Sequence, residues 1–403
     1  MTGITPVKYL YRISDQRRGE MEGLPLLSVS IHRGVIPRSE VTDAEPRADD
    51  LSNYKLVDAG EIVINRMSAY QGALGIARER GIASPEYIVL RPNDDVDPRY
   101  LTYLFKSSWF VSQMTSRLRG IGGTEQGNVR TPRINPEDLG GITVTVPSWS
   151  RQAVIANYLD LETARIAALI EKKQQMTELI DERATAYLCS IFDAAPGARR
   201  SLRAIASVAL GRQRSPENDE GPYMVRYLRA ANVKDGWLDL EDVKSMNFTP
   251  AEQERFALRQ GDVLVTEGAG SLAAVGASCV WGDELEGTVC IQNTLLRLRP
   301  QSGIDGEFLA WWCRYAYRSH LFASIASGAN IFHLSAEKVR TVACVVPALE
   351  EQKRIVNRLS ESFAKGEYVR SKLVEQIDLL IEHRQALITA AVTGELKFQG
   401  VAV

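Results

Sequence analysis

The sequence contains none of the short motifs that mark the commonest catalytic sites. It has no GxxxxGK[ST] phosphate loop, no GxSxG nucleophile turn and no HExxH zinc motif, and its four histidines have no metal-ligand spacing. These absences argue against a P-loop ATPase, a hydrolase with a nucleophile elbow and a zinc enzyme. We therefore expect no catalytic residue, no metal site and no cofactor in this chain.

Cysteine is also scarce. The five cysteines are odd in number and scattered, and no two form a CxxC pair, which argues against a disulfide framework. No stretch approaches the roughly 20 apolar residues that a membrane helix needs, and the first residues lack the apolar core of a signal peptide. These features together predict a cytoplasmic protein.

Charge of one sign is lacking as well. The chain has 48 basic and 50 acidic residues, so its net charge is −2, and any surface for nucleic acid must be a local one. With 403 residues, 45% of them hydrophobic, the composition is globular and the length favours two or more domains.

What the sequence does contain is a long repeat. VPSWSRQAVIANYLD at 146–160 matches VPALEEQKRIVNRLS at 346–360, an offset of 200 residues. The match extends backwards, with KLVDAGEIVINRM (55–67) on FALRQGDVLVTEG (256–268) and PRYLTYLFKS (98–107) on GEFLAWWCRY (306–315). A period this long indicates duplication of a whole domain with its connector. The predicted order is therefore a mixed domain, a helix, a second mixed domain and a second helix.

The two connectors have helical patterns. Residues 150–191 contain no proline or glycine, and Leu373, Leu380 and Leu387 recur every seven residues. Such spacing predicts helices of roughly 40 residues and roughly 60 Å that pack along each other. We expect an antiparallel pair; two unrelated surface helices are the alternative.

The repeated domains show short strand-like runs such as EIVIN and DVLVT, and helical patterns at 98–119 and 305–327. The fold class is therefore α+β. A Gly268-x-Gly270-x-x-Ala273 pattern follows one strand, but the sequence beyond it is strand-like. Because a dinucleotide site needs a helix at that point, we expect a tight loop instead.

Local basic stretches are the candidate DNA-binding sites. RLRGIGGTEQGNVRTPR at 117–133 combines glycines with arginines and amides, and its counterpart at 311–335 contains no acidic residue. Arginines hold phosphates and polar side chains read base edges, although a solvated basic face would have the same composition. The candidate residues are Arg117, Arg119, Thr124, Gln126, Asn128, Arg130, Arg133, Arg314, Arg318, Asn330 and His333.

With its paired VP…Q motifs and the closing stretch IEHRQALITAAVTGEL, the chain resembles the specificity (S) subunit of Type I restriction-modification systems over nearly its whole length. The resemblance implies two target-recognition domains, 1–147 and 198–347. It also implies a central spacer helix in 148–197 and a distal helix with the C-terminal tail in 348–403. Each domain would read one half of an asymmetric, gapped target in double-stranded DNA.

The resemblance also implies partners that carry the chemistry. Two methyltransferase subunits would bind S-adenosylmethionine, and restriction (translocase) subunits would bind ATP and magnesium. We expect these partners on the helices, at Gln152, Leu159, Ile166, Ile180, Gln352, Leu359, Leu373 and Leu380. Two other functions stay open: a coiled-coil adaptor that does not read DNA, and a DNA-modifying enzyme that acts alone.

Overall fold

The computed structural model describes residues 3–21, 23–31, 33–42, 50–118 and 132–397. The chain divides into two compact units: residues 1–173 with 374–403, and residues 174–373. Each boundary falls within a long helix, so each unit contains part of both long helices. None of the helices in the described ranges is long and apolar enough to cross a membrane.

In its described residues, the first unit contains ten short strands and three short helices, followed by a long helix. The strands are β1 (Ile4–Pro6), β2 (Tyr11–Ser14), β3 (Leu27–Ser30), β4 (Gly34–Pro37), β5 (Lys55–Val57), β6 (Ile62–Asn65), β7 (Leu74–Ile76), β8 (Gly81–Ala83), β9 (Tyr87–Pro92) and β10 (Thr143–Thr145). The helices are α1 (Pro98–Lys106), α2 (Ser108–Thr115), α3 (Pro136–Gly140) and α4 (Trp149–Asp193), of which α4 continues into the second unit.

The second unit repeats this order, with additional strands relative to the described part of the first. The strands are β11 (Ala198–Ser201), β12 (Ala206–Leu210), β13 (Met224–Leu228), β14 (Lys244–Asn247), β15 (Val263–Thr266), β16 (Gly268–Ala269), β17 (Ser278–Val280), β18 (Val289–Ile291), β19 (Leu295–Pro300), β20 (Phe332–His333) and β21 (Ala343–Val346). The helices are α5 (Pro250–Phe256), α6 (Gly306–Arg318), α7 (Leu321–Ile325), α8 (Ala336–Thr341) and α9 (Leu349–Thr393), of which α9 returns to the first unit.

Both units contain the same antiparallel four-stranded sheet. Its strand order is β2-β9-β6-β7 in the first unit and β12-β19-β15-β17 in the second. A matched glycine precedes the central strand in each sheet, and Gly60 and Gly261 have φ values of +89° and +85°. Because side chains other than glycine rarely adopt this conformation, the turn explains why the repeat retains glycine here. The duplication predicted from the sequence therefore extends to the sheet topology.

The long helices are confirmed as 45-residue elements that begin 200 residues apart, at Trp149 and Leu349. In the first unit, Ile155 and Leu159 of α4 share a core with Ile388 and Val392 of α9. Nearer the unit boundary, the Lys173 ammonium group donates to the Gln376 side chain at 2.6 Å. Partners on α9 thus move backwards as α4 advances, which is the predicted antiparallel arrangement.

The second unit has the same arrangement of helix segments. Leu188 and Phe192 of α4 share its core with Ile355 and Leu359 of α9. The sheet, the short helices and both long helices contribute to one core in each unit. The mixed domain and the helix segments in each unit therefore form one folded body.

The Gly268-x-Gly270-x-x-Ala273 stretch is a loop, as expected. It follows β15 as the two-residue strand β16 and a short 3-10 turn at Leu272–Ala274, and no α-helix begins there. Across the described ranges, no group of three or more His, Cys, Asp or Glu side chains could hold a metal ion.

Candidate nucleic-acid interface

Two loops meet at one edge of the sheet in the first unit. The Ile134 amide donates to the Arg66 carbonyl oxygen at 3.1 Å, and the Arg66 guanidinium donates back to the Ile134 carbonyl oxygen at 3.1 Å. The same guanidinium also donates to the Asn135 side chain at 2.6 Å. Arg66 follows β6, so the end of that strand is fixed to the point where the chain returns from the 117–133 stretch.

The second unit brings together the matched loops. The Leu334 amide donates to the Glu267 carbonyl oxygen at 2.7 Å, and β16 pairs with β20. The Glu267 carboxylate lies 3.2 Å from Nδ1 of His333. Arg66 and Glu267 occupy matched positions, so the same main-chain contact is supported by side chains of opposite charge. The main-chain contact is thus shared by the two units, whereas the side chains at the matched position differ.

Most of the predicted residues in the first loop lie outside the described ranges, namely Arg119, Thr124, Gln126, Asn128 and Arg130. Arg117 is half-buried and donates to the Gln113 carbonyl oxygen at 2.8 Å, whereas Arg133 is exposed. The assignment of this loop to DNA therefore stays a prediction.

The predicted residues of the second unit fall into two groups. Asn330 and His333 are exposed in the loop that pairs with β16. Arg314 and Arg318 lie instead on α6, where both bind the Asp235 carboxylate at 2.8 and 2.6 Å. Their side chains are only 13% and 15% exposed. Since these charges are neutralised inside the unit, they are poorly placed to hold a phosphate.

The loop between β6 and β7 lies beside the main-chain contact of Arg66 and was not among the candidates predicted from the sequence. Met67 and Gln71 are exposed there, and the turn closes at Gly72 with φ of +92°. The stretch has no cluster of charge, so composition did not identify it. A comparison of the two repeats could have identified this loop. NRMSAYQG (65–72) and TEGAGSLA (266–273) follow matched strands but differ strongly from each other.

Gln152 and Gln352, which were expected from the sequence to contact partners, make hydrogen bonds within the chain. Both are buried. The Gln152 carbonyl oxygen accepts from the Asp97 amide at 2.9 Å, and its amide nitrogen donates to the Pro147 carbonyl oxygen at 2.9 Å. Gln352 makes the same contacts, with the Asp305 amide at 2.9 Å and the Pro347 carbonyl oxygen at 3.0 Å. Each glutamine joins the start of a long helix to the start of a recognition-domain helix.

The other helix residues expected to contact partners are also directed inward. Leu159, Ile166, Leu359 and Leu373 are buried, and Ile180 and Leu380 are half-buried. The exposed apolar side chains of the long helices belong to other positions. They are Trp149, Leu161, Leu169, Val374, Leu379 and Ile381 in the first unit, and Met176, Leu179, Leu349, Tyr368 and Val369 in the second.

Each mixed domain is also attached to its helices through an aromatic side chain, which is half-buried in the first unit and buried in the second. In the first unit, the Tyr103 hydroxyl donates to the Asp160 carboxylate at 2.8 Å, and burial raises the pKa of Tyr103 to about 12. In the second unit, the Trp311 indole donates to the Ser360 hydroxyl at 3.3 Å. Asp160 and Ser360 are 200 residues apart and occupy matched positions. The contact is therefore retained in both repeats, although different side chains form it.

Two curated proteins resemble the chain. They are the Type I restriction enzyme StySPI specificity subunit of Salmonella potsdam, 23% identical over 330 residues, and the Type I restriction enzyme EcoKI specificity subunit of Escherichia coli K12, 20% identical over 326 residues. Each match covers 77% of this chain and 68% of the relative. The resemblance predicted from the repeated motifs is therefore confirmed. No protein-family model matches the chain.

Two solved structures share the fold. One, described as the structural basis of complex assembly and conformational transition of the type I R-M system, has a TM-score of 0.75 at 17% identity and is covered to 98% on both chains. The other is the HsdS subunit from Thermoanaerobacter tengcongensis, with a TM-score of 0.54 at 18% identity over 98% of this chain and 97% of its own. These likenesses establish the predicted architecture of two mixed domains with two long helices.

Proposed function

We infer that this chain is the DNA-specificity subunit of a Type I restriction-modification system. One observation carries the inference. The two units share a sheet and its loop contacts, but the side chains on the matched loops differ, as Arg66 and Glu267 illustrate. Two identical DNA-recognition domains would suit a palindromic target, whereas two different domains on one chain suit two different half-sites. The curated relatives are named as specificity subunits, which supports the same conclusion.

We assign the two recognition domains to residues 1–147 and 198–347. In this proposal, basic residues hold phosphates and give an affinity that depends on salt but not on sequence. Polar side chains of the loops select bases, and each good contact contributes about 1–3 kcal/mol of discrimination. Asn128 and Arg130 are candidates in the first unit, and Asn330 and His333 in the second. The target is double-stranded DNA with a gap of unread bases between the half-sites.

We further propose that partner subunits supply the chemistry. Two methyltransferase subunits would bind S-adenosylmethionine and modify adenine, and restriction subunits would use ATP and magnesium. The exposed apolar side chains of the long helices, such as Leu169 and Leu179, are better candidates for partner contacts than the inward positions. Exposed leucine side chains leave apolar surface in contact with water, and a partner that covers them removes this unfavourable contact.

A methylome tests the proposal. The chain is expressed with its methyltransferase subunit in a host without adenine methylation, and modified adenines are mapped by single-molecule sequencing. We expect one asymmetric, gapped motif methylated on both strands. Asn128→Ala and Asn330→Ala form a matched pair, because each is expected to relax one half-site and leave the other intact.

The alternatives give different results. An adaptor that does not read DNA would yield no motif in the presence of an active partner. An enzyme that acts alone would methylate DNA without the partner when S-adenosylmethionine is supplied. Either result would contradict the assignment as a specificity subunit.

A further inference from the structure

An ion-pair network in the second unit connects a loop of the recognition domain to both long helices. Asp235, in the turn after β13, binds Arg314 at 2.8 Å and Arg318 at 2.6 Å. The two arginines lie one turn apart on α6, so one carboxylate can bind both of them. Arg318 continues to α4, where it binds the Asp181 carboxylate at 3.1 Å and the Thr185 hydroxyl at 2.7 Å.

Aromatic rings hold the same arginines against α9. The Arg314 guanidinium carbon lies 4.4 Å from the ring centre of Trp311 and 4.7 Å from that of Phe363. The Arg318 guanidinium lies 5.4 Å from the Phe363 ring centre. Guanidinium groups over aromatic faces are attracted by the ring quadrupole, and more strongly where water is excluded. Phe363 therefore joins α9 to both arginines.

The turn that carries Asp235 depends on a glycine. Gly236 has φ of +89°, and a Cβ atom there would lie 2.5 Å from the Arg314 guanidinium carbon. Its amide donates to the Ser278 carbonyl oxygen at 2.8 Å, at the edge of the four-stranded sheet. A side chain at this position would therefore displace the Arg314 guanidinium, and the amide contact holds the turn against the sheet.

The first unit is attached to its helices differently. The position matched to Arg314 is Lys106, whose carbonyl oxygen accepts from the Gln385 side chain at 2.7 Å. Burial lowers the pKa of Lys106, and the nearby Arg384 adds to this effect. A single arginine, Arg99, binds Asp97 and Asp160 at the other end of α1. Asp58 of the first unit also binds two arginines, Arg80 and Arg91, but neither of them lies on a helix. Within the described part of the chain, two arginines of one helix on a single carboxylate are thus a feature of the second unit.

We propose that Asp235 is a positioning residue for DNA recognition. Through Arg314 and Arg318 it fixes one orientation of the second recognition domain on the helix segments of its unit, and this orientation restricts the gap length that the protein accepts. The inference rests on the proposed function. Charge-assisted hydrogen bonds from a planar guanidinium are directional, so they select one orientation where apolar contacts alone would tolerate several.

The test compares gap lengths in the full complex with the methyltransferase subunit. One extra base pair moves a half-site by about 3.4 Å and by about a tenth of a helical turn. In Asp235→Asn we expect the preference for the native gap over a gap longer by one base pair to fall about tenfold. The sequences of both half-sites stay the same. Asp235→Glu retains the carboxylate and is expected to keep most of the preference.

Asp219→Asn is the matched control. It removes the carboxylate of the Arg214–Asp219 pair, which lies in the same domain and is 53% and 45% exposed. Exposed pairs contribute little, so this variant is expected to keep the native gap preference. Thr185→Val removes only the outer hydrogen bond of Arg318 and keeps the side-chain shape. It is expected to give a smaller loss than Asp235→Asn, and it tests the inference even if Asp235→Asn fails to fold.

A salt titration separates positioning from direct contact with DNA. If Arg318 bound a phosphate, Arg318→Ala would reduce the slope of log affinity against log salt by about one. We expect an unchanged slope with a relaxed gap preference. An unchanged gap preference in Asp235→Asn and Thr185→Val, or a reduced slope in Arg318→Ala, would overturn the inference. A wild-type complex that methylates no gapped motif would instead contradict the proposed function itself.

Discussion

At the scale of single residues, the two buried glutamines show how the repeat preserves a structural contact. Gln152 and Gln352 each bind a main-chain amide at the start of a recognition-domain helix and a proline carbonyl oxygen before a long helix. Both ends of the amide group are used, so no smaller polar side chain could replace it. The match between the two copies at these positions therefore reflects folding within each unit.

We predict that Gln152→Ala and Gln352→Ala each lower the free energy of unfolding by about 1–3 kcal/mol, because each leaves buried amide and carbonyl groups without partners. Chemical denaturation of the full chain measures the change. Gln174→Ala, at an exposed position of α4, is the control and is expected to leave the free energy of unfolding nearly unchanged. If Gln152→Ala were neutral too and weakened partner binding instead, the internal role would be wrong.

A second prediction concerns Glu307, in the first turn of α6. The Glu307 side chain remains exposed, but partial desolvation raises its pKa, and the neighbouring Asp305 carboxylate raises it further. The folded state thus holds this proton more tightly, so stability is lost as pH rises from about 4.3, the ordinary glutamate value, through the raised pKa. We expect Glu307→Gln to raise the melting temperature at neutral pH, with no gain at pH values below 4.3.

The control for Glu307 has the opposite sign. A hydrogen bond from Lys365, together with its charge, lowers the pKa of the exposed Glu361 on α9. Glu361→Gln is therefore expected to lower the melting temperature slightly at neutral pH. A loss of stability in Glu307→Gln at neutral pH would mean that the helix N-terminus stabilises this charge more than desolvation disfavours it.

Residue roles were the part that sequence patterns predicted least well. The stretch 311–335 has no acidic residue, which favoured free arginines for phosphate contacts. In the structure the acid that binds Arg314 is Asp235, 79 residues earlier in the chain. The composition of a short stretch gives no information about a partner that is distant in the sequence and becomes close only in the folded domain. Asn330 and His333, by contrast, are exposed in a loop as the pattern indicated.

At the scale of elements, local sequence patterns were sufficient to predict the long helices and several of the strands. Residues 150–191 predicted α4 because nothing in them breaks a helix, and runs such as DVLVT predicted strands that are now seen in the sheets. The exception to the helix pattern is Gly366, within α9. Its backbone is helical, and a Cβ atom there would meet only the Ile180 Cγ2 atom, at 3.6 Å.

Because that contact is an ordinary one, we predict that Gly366→Ala stabilises the protein. Alanine is favoured over glycine within a helix by about 0.5–1 kcal/mol. Thermal and chemical unfolding measure the gain. Gly328→Ala is the contrasting variant, since Gly328 has φ of +138° and its Cβ atom would overlap the Ile331 carbonyl oxygen. Destabilisation by Gly366→Ala would indicate that the two helices require a closer approach than the Ile180 contact implies.

At the scale of the whole molecule, the repeat predicted the order of domains and helices because duplication copies both pattern and topology. It did not predict that each compact unit takes segments of both long helices, with boundaries at Lys173 and Leu373. That division depends on shared cores such as the one that contains both Ile155 and Ile388, which are more than 200 residues apart. Periodicity identifies a helix face but does not identify the partner that covers it.

The continuous helices lead to the last prediction, which concerns the gap in the DNA target. Deleting 173–179 together with 374–380 removes one heptad from each helix at the unit boundaries. Because both helices lose seven residues, the antiparallel pairs on either side keep their register. Seven residues correspond to about 10.5 Å of helix, or roughly three base pairs. We expect the methylome of this variant to contain the same half-sites with a shorter gap. Deleting 173–179 alone breaks the register and is expected to abolish the motif, whereas an unchanged gap in the double deletion would mean that helix length does not set the gap.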